Sequence, residues 1–388
     1  MKILHVIDSE GLYGAEVMLL NLAFEQRKIG LRPGILNMRL CECDGHSLGD
    51  EARKMGLEFH ALPLRSGIEV LETFGIIRFA QINGYALFHT HGYKPNILLG
   101  LMPKRFRKLP LVSTLHGWTS TERFTKLRFY EWLDFISLRF IDAVVLVNRA
   151  MKCYTRLRDC NALNLYVINN GIPIPESTCH PNNGQGSTSS DLDKTIIDFC
   201  KKGFTIGSIG RLSTEKGYRH LIEAVASLVR KGLDVHLVII GEGYERQRLE
   251  ALVRQLELSD RVILPGYRPY ARNYIAFFSI FVISSLTEGL PITVLEAMQA
   301  KVPVVATRVG AIPELLQSGR GGLLVEPHNP RLLSDAISSL YHNAEFANQL
   351  ASVSYQEAVH RYTSDAMTLQ YLDIYKTVIQ RNQARTLQ

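Results

Sequence analysis

Glu288 and Glu296 stand eight positions apart in EGLPITVLE, which puts one carboxylate just before a helix and the other in its second turn. Paired carboxylates flanking a sugar are the usual machinery of glycoside hydrolysis. Acidic residues near a helix N-terminus also occur for the sake of the helix alone. A second segment weighs between those readings. GSIGRLSTEKGYRHLIEA places Gly210 and Arg211 directly after an apolar run, and Lys216 and Gly217 directly before a helical one. Two cations flanking a strand-to-helix loop can clamp a diphosphate, and glycine lets backbone amides approach it. Arg211 and Lys216 would have no evident role beside a neutral glycoside, whereas they suit a departing diphosphate whose charge grows in the transition state. Together the four residues point to sugar transfer from a nucleotide diphosphate. Glu296 is expected to accept hydrogen bonds from vicinal ribose hydroxyls, and Glu288 from hydroxyls of the transferred sugar. Gly289, Leu290, Pro291 and Ile292 form the junction before Glu296. Pro291 is expected at the first helical position, with the amides of Ile292 and Thr293 at the positive end of the dipole. A noncatalytic nucleotide-sugar-binding module and a glycoside hydrolase are the alternative classes.

The elements that must carry these residues alternate throughout the chain, as in parallel sheets covered by helices, so the fold class is α/β. In the first half, strands are expected over 3–7, 34–38, 57–62, 86–89, 111–115, 143–147 and 166–168, with helices over 15–24, 70–81 and 122–139. The segment IPIPESTCHPNNGQGSTSSDLDK then breaks all periodicity and reads as a linker or surface excursion. A second series follows, with strands over 204–209, 235–239, 262–264, 280–283 and 304–306 and helices over 221–230, 246–255 and 292–299. The expected organisation is two doubly wound Rossmann-like domains, 1–171 and 201–363, joined by 172–200. Helices over 332–340 and 366–381 come last, and 364–388 is expected to brace the two domains. Ligands bind at the carboxyl edges of such sheets, so an interdomain cleft follows.

Composition bounds the function. At 388 residues, 46% hydrophobic and 21% charged, the chain can bury two sizeable cores. Six cysteines without disulfide-framework spacing fit a reducing compartment, and the short, polar-interrupted MKILHVIDSEG is a first strand rather than a signal peptide, so the expected location is cytoplasmic. No apolar run reaches the ~20 residues that span a bilayer. A net charge of +7 and a pI near 9.0 call for an anionic partner. Lys104, Arg105, Arg107 and Lys108 precede RFTKLRFYEWLDFISLRF, where Arg123, Lys126 and Arg128 alternate with aromatic and leucine residues. Such a helix either lies on an anionic membrane surface or packs as an ordinary amphipathic surface helix. Basic residues interleaved with base-stacking aromatics in a nucleic-acid module are not found.

With these motifs in place, the chain resembles the family-4 glycosyltransferases of the two-Rossmann GT-B fold. The pattern is an Arg and Lys after the first strand of the C-terminal domain and an acidic pair separated by seven residues, here Arg211, Lys216, Glu288 and Glu296. The resemblance runs nearly the whole chain, through GLYGAEVMLLNLA, HTHGYKPNILLG, STLHG, VINNGI, GEG, PGY, VGAIPELL and GGLLVEP. It implies retention of anomeric configuration without a bound metal or other cofactor, a nucleotide-sugar donor with UDP favoured, and a saccharide or lipid-linked saccharide acceptor. It further implies that His116 sits beside the anomeric carbon or sugar hydroxyls, and that Gly241, Gly243 and Tyr267 belong to segments lining the nucleotide base. Gly11 and Gly14 match the family's glycine-rich turn and leave room for sugar or phosphate. Glu16 falls in the same motif. Tyr13 departs from the adjacent glycines of many relatives, which bears on acceptor preference. His89 and His91 are expected to shape the acceptor pocket or to serve the fold.

Two metal motifs are set aside. Asp191 and Asp193 form Asp-X-Asp but lie in the polar linker with no preceding apolar strand to fix them. Cys41, Cys43 and His46 lack a fourth ligand at zinc spacing.

Overall fold

Lys2–Ile7 opens the chain as β1 with Ile3, Leu4 and Val6 wholly buried, the mark of a strand covered on both faces. The computed structural model describes residues 1–9, 11–39, 48–62, 70–116, 126–153, 164–174 and 192–386. After β1 come α1 (Gly14–Lys28), β2 (Arg32–Asn37), α2 (Leu48–Lys54), β3 (Glu58–Ala61), α3 (Val70–Ile82), β4 (Leu87–His91), α4 (Tyr93–Gly100) and α5 (Lys104–Arg107). They are followed by β5 (Leu111–Leu115), α6 (Lys126–Leu138), β6 (Ala143–Leu146) and β7 (Leu165–Val167). The sheet runs β3-β2-β1-β4-β5-β6-β7, with all pairs parallel. Strand order reverses between β1 and β4, which stay paired through Ile7 and His91, so the chain leaves their carboxyl ends toward opposite faces of the sheet, the arrangement that opens a ligand crevice.

The second unit, Ile174–Thr363, repeats this plan. Its elements are α7 (Lys194–Cys200), β8 (Phe204–Ile209), α8 (Tyr218–Arg230), β9 (Val235–Ile240), α9 (Arg246–Gln255), β10 (Val262–Gly266), β11 (Ile280–Ile283) and α10 (Ile292–Gln299). Then follow β12 (Val304–Thr307), α11 (Ile312–Leu315), β13 (Leu323–Val325), α12 (Pro330–His342) and α13 (Ala344–Arg361). The sheet order β10-β9-β8-β11-β12-β13 places its switch point between β8 and β11. Leu221, Ile222, Val225 and Leu228 form the apolar stripe of α8 and pack with Leu237, Ile239 and Val282 of the sheet.

The last helix, α14 (Ser364–Thr386), groups with Met1–Pro173. Its Tyr371 and Tyr375 are buried, with Tyr371 bonded to Thr114 of β5 and Tyr375 to Gln26 of α1. Where the sequence suggests a brace between two domains, these bonds fasten the helix onto the first sheet.

Several expectations differ in detail. Residues 194–200, assigned to the linker, form α7, capped by Asp193, whose carboxylate accepts from the Thr195 amide and pairs with Arg268. One half of the Asp-X-Asp motif is thus a helix cap. β4 extends to His91, beyond the expected end at 89, because the polar residues that seem to end the run are bonded inside the fold. β13 and α13 were not anticipated. Three residues are too few to show a period, and α13 is separated from α12 by a single residue, the cap Asn343, whose side chain accepts from the Phe346 amide. The expected helix over 122–139 is seen from Lys126 onward. Residues 122–125, Gly117 of STLHG, Asp191, and the group Cys41, Cys43 and His46 lie outside the described residues.

Candidate active site

The carboxyl ends of β8 and β11 bring together residues that are distant in sequence. Lys216 Nζ lies 2.7 Å from Glu288 Oε1, and Ser285 Oγ donates to that same oxygen at 2.6 Å. The lysine sits in a short 3₁₀ turn, Thr214–Lys216, that is stitched to the loop after β11. The Leu286 amide donates to the Glu215 carbonyl at 2.7 Å, and Ser284 Oγ donates to the Lys216 carbonyl at 3.0 Å. Gly217 makes the approach possible. Its φ is +63°, and a Cβ there would stand 2.2 Å from the Ser284 carbonyl oxygen. Gly217→Ala should therefore cost about 2 kcal/mol or more and shift Lys216. Thermal unfolding and the donor KM check this, and a variant with unchanged values for both would show that the loop tolerates the side chain.

Arg211 leaves the end of β8 largely exposed and pairs with Glu215 at 2.8 Å. Exposed pairs of this kind are weak, so the guanidinium can be recruited by a stronger anion. Gly210 and the segment Gly241–Gly243 pack against each other. A Cβ on Gly241 would meet the Gly210 carbonyl oxygen at 2.0 Å, and one on Gly243 would meet the Leu212 carbonyl oxygen at 2.2 Å. The structural demand at these glycines is thus close loop packing. Tyr267 follows β10 with an exposed ring.

Pro291 is the N-cap of α10 rather than its first helical residue, so Ile292 and Thr293 occupy the first two helical positions. Their amides still face the positive end of the helix dipole. Gly289, Leu290 and Pro291 are held from the far side by Gly310, whose φ is +56° and whose Cβ position would fall 2.1 Å from the Glu288 carbonyl oxygen. The Ala311 amide donates to the Gly289 carbonyl at 3.0 Å. Glu296 lies one turn into α10, and no hydrogen bond to its carboxylate is made by the described residues. Burial pushes its pKa up to about 7, only partly opposed by the charge of Arg272. A partly buried carboxylate with no such bond is prepared for a ligand that brings its own donors.

In the first unit, the glycine turn after β1 is pinned by Glu16. Its Oε1 accepts from Ser9 Oγ at 2.6 Å and its Oε2 from the Tyr13 amide at 3.0 Å. Glu16 thereby caps α1 and shapes the turn around Gly11 and Gly14. Gly14 has open space where a Cβ would stand, whereas Gly11 faces the Tyr13 ring at 2.9 Å. Asp8, at the end of β1, pairs with Arg39 at 2.7 Å and lies 3.9 Å from Lys94.

His91 at the end of β4 and His116 after β5 are joined, His91 Nδ1 to His116 Nε2, at 3.3 Å. His5 and His89 pack beside them with tilted rings, their centroids 4.9 Å apart. The ring nitrogens of His5, His89 and His91 lie within 4.8 Å of one another, a spacing that fits a metal ion. Each of these nitrogens has a hydrogen-bond partner among His5, Gln26, His91, His116, Thr114 and Tyr375. Burial holds His5 and His116 down at about 4, and His89 and His91 well below the usual histidine value.

Sequence reasoning missed Ser285, Glu215, Gln26 and His5. Ser285 and Glu215 sit within the motifs already singled out, in SSLTEG and STEKG, where a polar residue next to a charged one was the available signal. Gln26 and His5 carried no such signal, since each matters only through residues on other elements.

Comparison with known proteins agrees with this architecture. Residues 190–357 match the family model described as Glycosyl transferases group 1, and residues 13–175 match Glycosyltransferase Family 4. The alpha-D-kanosaminyltransferase of Streptomyces kanamyceticus is 31% identical over 172 residues, 44% of this chain and 45% of that protein. The UDP-Gal:alpha-D-GlcNAc-diphosphoundecaprenol alpha-1,3-galactosyltransferase of Escherichia coli is 27% identical over 62% of each chain. The matched segments thus span about half the length of these two relatives. In fold, Anabaena Alr3699/HepE in complex with UDP-glucose superposes with a TM-score of 0.80 at 22% identity, covering 97% of this chain and 100% of that one. With a glycosyltransferase model matched to each half, and the basic loop and acidic pair set at one sheet edge, the chain belongs to the family-4 glycosyltransferases.

Proposed function

We propose that this protein is a retaining, metal-independent glycosyltransferase that moves a hexosyl or related group from a UDP-sugar to a saccharide or lipid-linked saccharide. The observation that carries the reading is the meeting of Lys216 and Glu288 at 2.7 Å, at the switch point of the second sheet, beside the helix that bears Glu296. A diphosphate entering here would draw Lys216 and Arg211 away from their carboxylate partners. Their positive charge would then stabilise the negative charge that builds on the leaving diphosphate as the anomeric C–O bond breaks. Two side-chain cations supply the charge that a divalent ion supplies elsewhere. Glu288, released from Lys216, orients a sugar hydroxyl, and ionised Glu296 accepts from the ribose. The choice of uridine is supported by the E. coli relative, whose name specifies UDP-galactose, and by the solved relative in complex with UDP-glucose.

Among the described residues no helix is long and apolar enough to cross a membrane. Phe129, Trp132 and Phe106 have exposed rings on α6 and α5, where Lys104 and Arg105 add positive charge. Peripheral attachment to an anionic membrane surface is part of the proposal.

The test is release of nucleoside diphosphate from a panel of nucleotide sugars, with saccharide and lipid-linked acceptors, with and without chelator. Acceptor-dependent release from a UDP-sugar, insensitive to chelator and yielding the retained anomer, is expected. Tight donor binding with no turnover across the panel would instead identify a binding module, and chelator-sensitive turnover would remove the metal-free mechanism. Co-sedimentation with phosphatidylglycerol vesicles but not phosphatidylcholine vesicles checks the surface attachment.

A further inference from the structure

The clustered histidines of the first unit form one continuous, directional hydrogen-bonded chain that ends at His116. Gln26 of α1 is its origin. The Gln26 Nε2 amide donates to Tyr375 OH at 3.1 Å, which turns the Gln26 Oε1 oxygen toward His5 Nε2 at 2.9 Å. A carbonyl oxygen only accepts, so the His5 proton must be on Nε2. His5 Nδ1 is then an acceptor and lies 3.1 Å from His91 Nε2, which must carry the His91 proton. His91 Nδ1 is in turn an acceptor, 3.3 Å from His116 Nε2. That atom must carry the His116 proton, which leaves His116 Nδ1 with its lone pair.

Each ring is neutral, with one proton apiece. Burial lowers the pKa of all three rings well below neutrality, and among the described residues no carboxylate bonds to any of them. A second branch agrees in direction: Tyr375, accepting from Gln26, donates to His89 Nδ1 at 2.8 Å, and His89 Nε2 donates to Thr114 Oγ1 at 2.8 Å. One amide orientation thus gives a partner to every ring nitrogen of His5, His89 and His91 and to His116 Nε2. Strand register makes the chain possible. His5 pairs with His89 across β1 and β4, and His91 with Thr114 across β4 and β5, so alternate residues present their side chains on one face of the sheet.

We infer that Gln26, His5 and His91 are positioning residues that fix His116 as the Nε2–H tautomer, so that Nδ1 accepts a hydrogen bond from a hydroxyl of the saccharide bound at this sheet edge. The part concerning the saccharide rests on the proposed transferase reading, whereas the tautomer does not. A fixed acceptor discriminates between sugars. It rewards a hydroxyl at that position and leaves its own lone pair unmatched when the hydroxyl is absent.

The experiment is long-range ¹H–¹⁵N NMR on the full chain labelled at histidine ring nitrogens, near pH 7, with signals assigned by His5→Gln, His91→Gln and His116→Gln. All three rings are expected as Nε2–H tautomers. A His116 proton on Nδ1 would mean that the chain runs the other way and would overturn the proposal. Gln26→Met, which keeps the shape and removes both amide atoms, is expected to convert His116 to a mixture of tautomers. It should also raise the KM of the sugar substrate roughly threefold to tenfold, with kcat within about twofold. An unchanged His116 tautomer in that variant would overturn the assignment of Gln26. Should Gln26→Met fail to fold, the wild-type spectrum alone decides. Should no sugar transfer be found, the spectrum still decides the tautomer, so the two readings fail separately.

Discussion

Replacing Lys216 with alanine is expected to lower kcat/KM for sugar transfer about a hundredfold or more, roughly 3 kcal/mol of transition-state stabilisation, with a much smaller effect on the fold. The lysine is held 2.7 Å from Glu288 by a turn that is itself bonded to the neighbouring loop. Its ammonium group therefore costs little to reorganise when a diphosphate arrives. Without it, the negative charge growing on the leaving group has only Arg211, which starts from a more exposed position. Loss of a partly exposed ion pair should cost the fold only about 1 kcal/mol, and Glu288 keeps its bond from Ser285. Steady-state kinetics and thermal unfolding, measured together, separate the two effects. A large fall in Tm with unchanged transfer per folded molecule would assign Lys216 to the structure instead. Glu288→Gln is a useful partner, because the amide oxygen can still accept from Ser285 while the charge that holds Lys216 is gone.

Glu296→Gln should make the protein more stable and less able to hold its donor. Burial raises the Glu296 pKa to about 7 from the ordinary value of 4.5, so the folded protein binds the proton more tightly than the unfolded chain does. Stability contributed by this group is therefore greatest below about pH 4.5, falls between 4.5 and 7, and stays low above 7. Removing the charge should recover at most about 3 kcal/mol at pH 8 and nothing at pH 4. The donor, by contrast, needs the ionised form, which offers only acceptors to the ribose hydroxyls. Wild-type donor affinity should weaken as pH falls below about 7, whereas the glutamine variant should bind roughly tenfold more weakly at pH 8 and lose that pH dependence. Thermal unfolding across pH and calorimetric titration with UDP-sugar or UDP measure both sides. A variant with unchanged donor affinity would take Glu296 out of the site, and a lower Tm at pH 8 would show that its charge is compensated in the fold. This is the behaviour of a residue kept for binding at the expense of stability.

Much of the architecture is legible in the residues themselves. The runs that become β8, β9 and β11 are apolar enough to be covered on both faces, and the stripe of α8 has the helical period, so burial dictates these elements locally. The chemical types at the second sheet edge are legible for a similar reason. A cation pair before one helix and an acidic pair around another narrow the chemistry before any contact is known. Pairing is a different matter. Lys216 reaches Glu288, rather than some nearer carboxylate, because β8 and β11 are neighbours in the sheet, and that order comes from how the helices cover the two faces. Likewise Glu16, which belongs by sequence to the glycine-rich motif on the acceptor side, is engaged by Ser9 and the Tyr13 amide. The last helix returns to the first sheet through two tyrosines that no periodicity distinguishes from other buried aromatics. His116 was identifiable from sequence as a histidine at a strand end. Which of its nitrogens bears the proton depends on Gln26, His5 and His91, drawn from α1, β1 and β4. Local sequence fixes what each residue can donate or accept, and only packing across strands decides to which partner it does so.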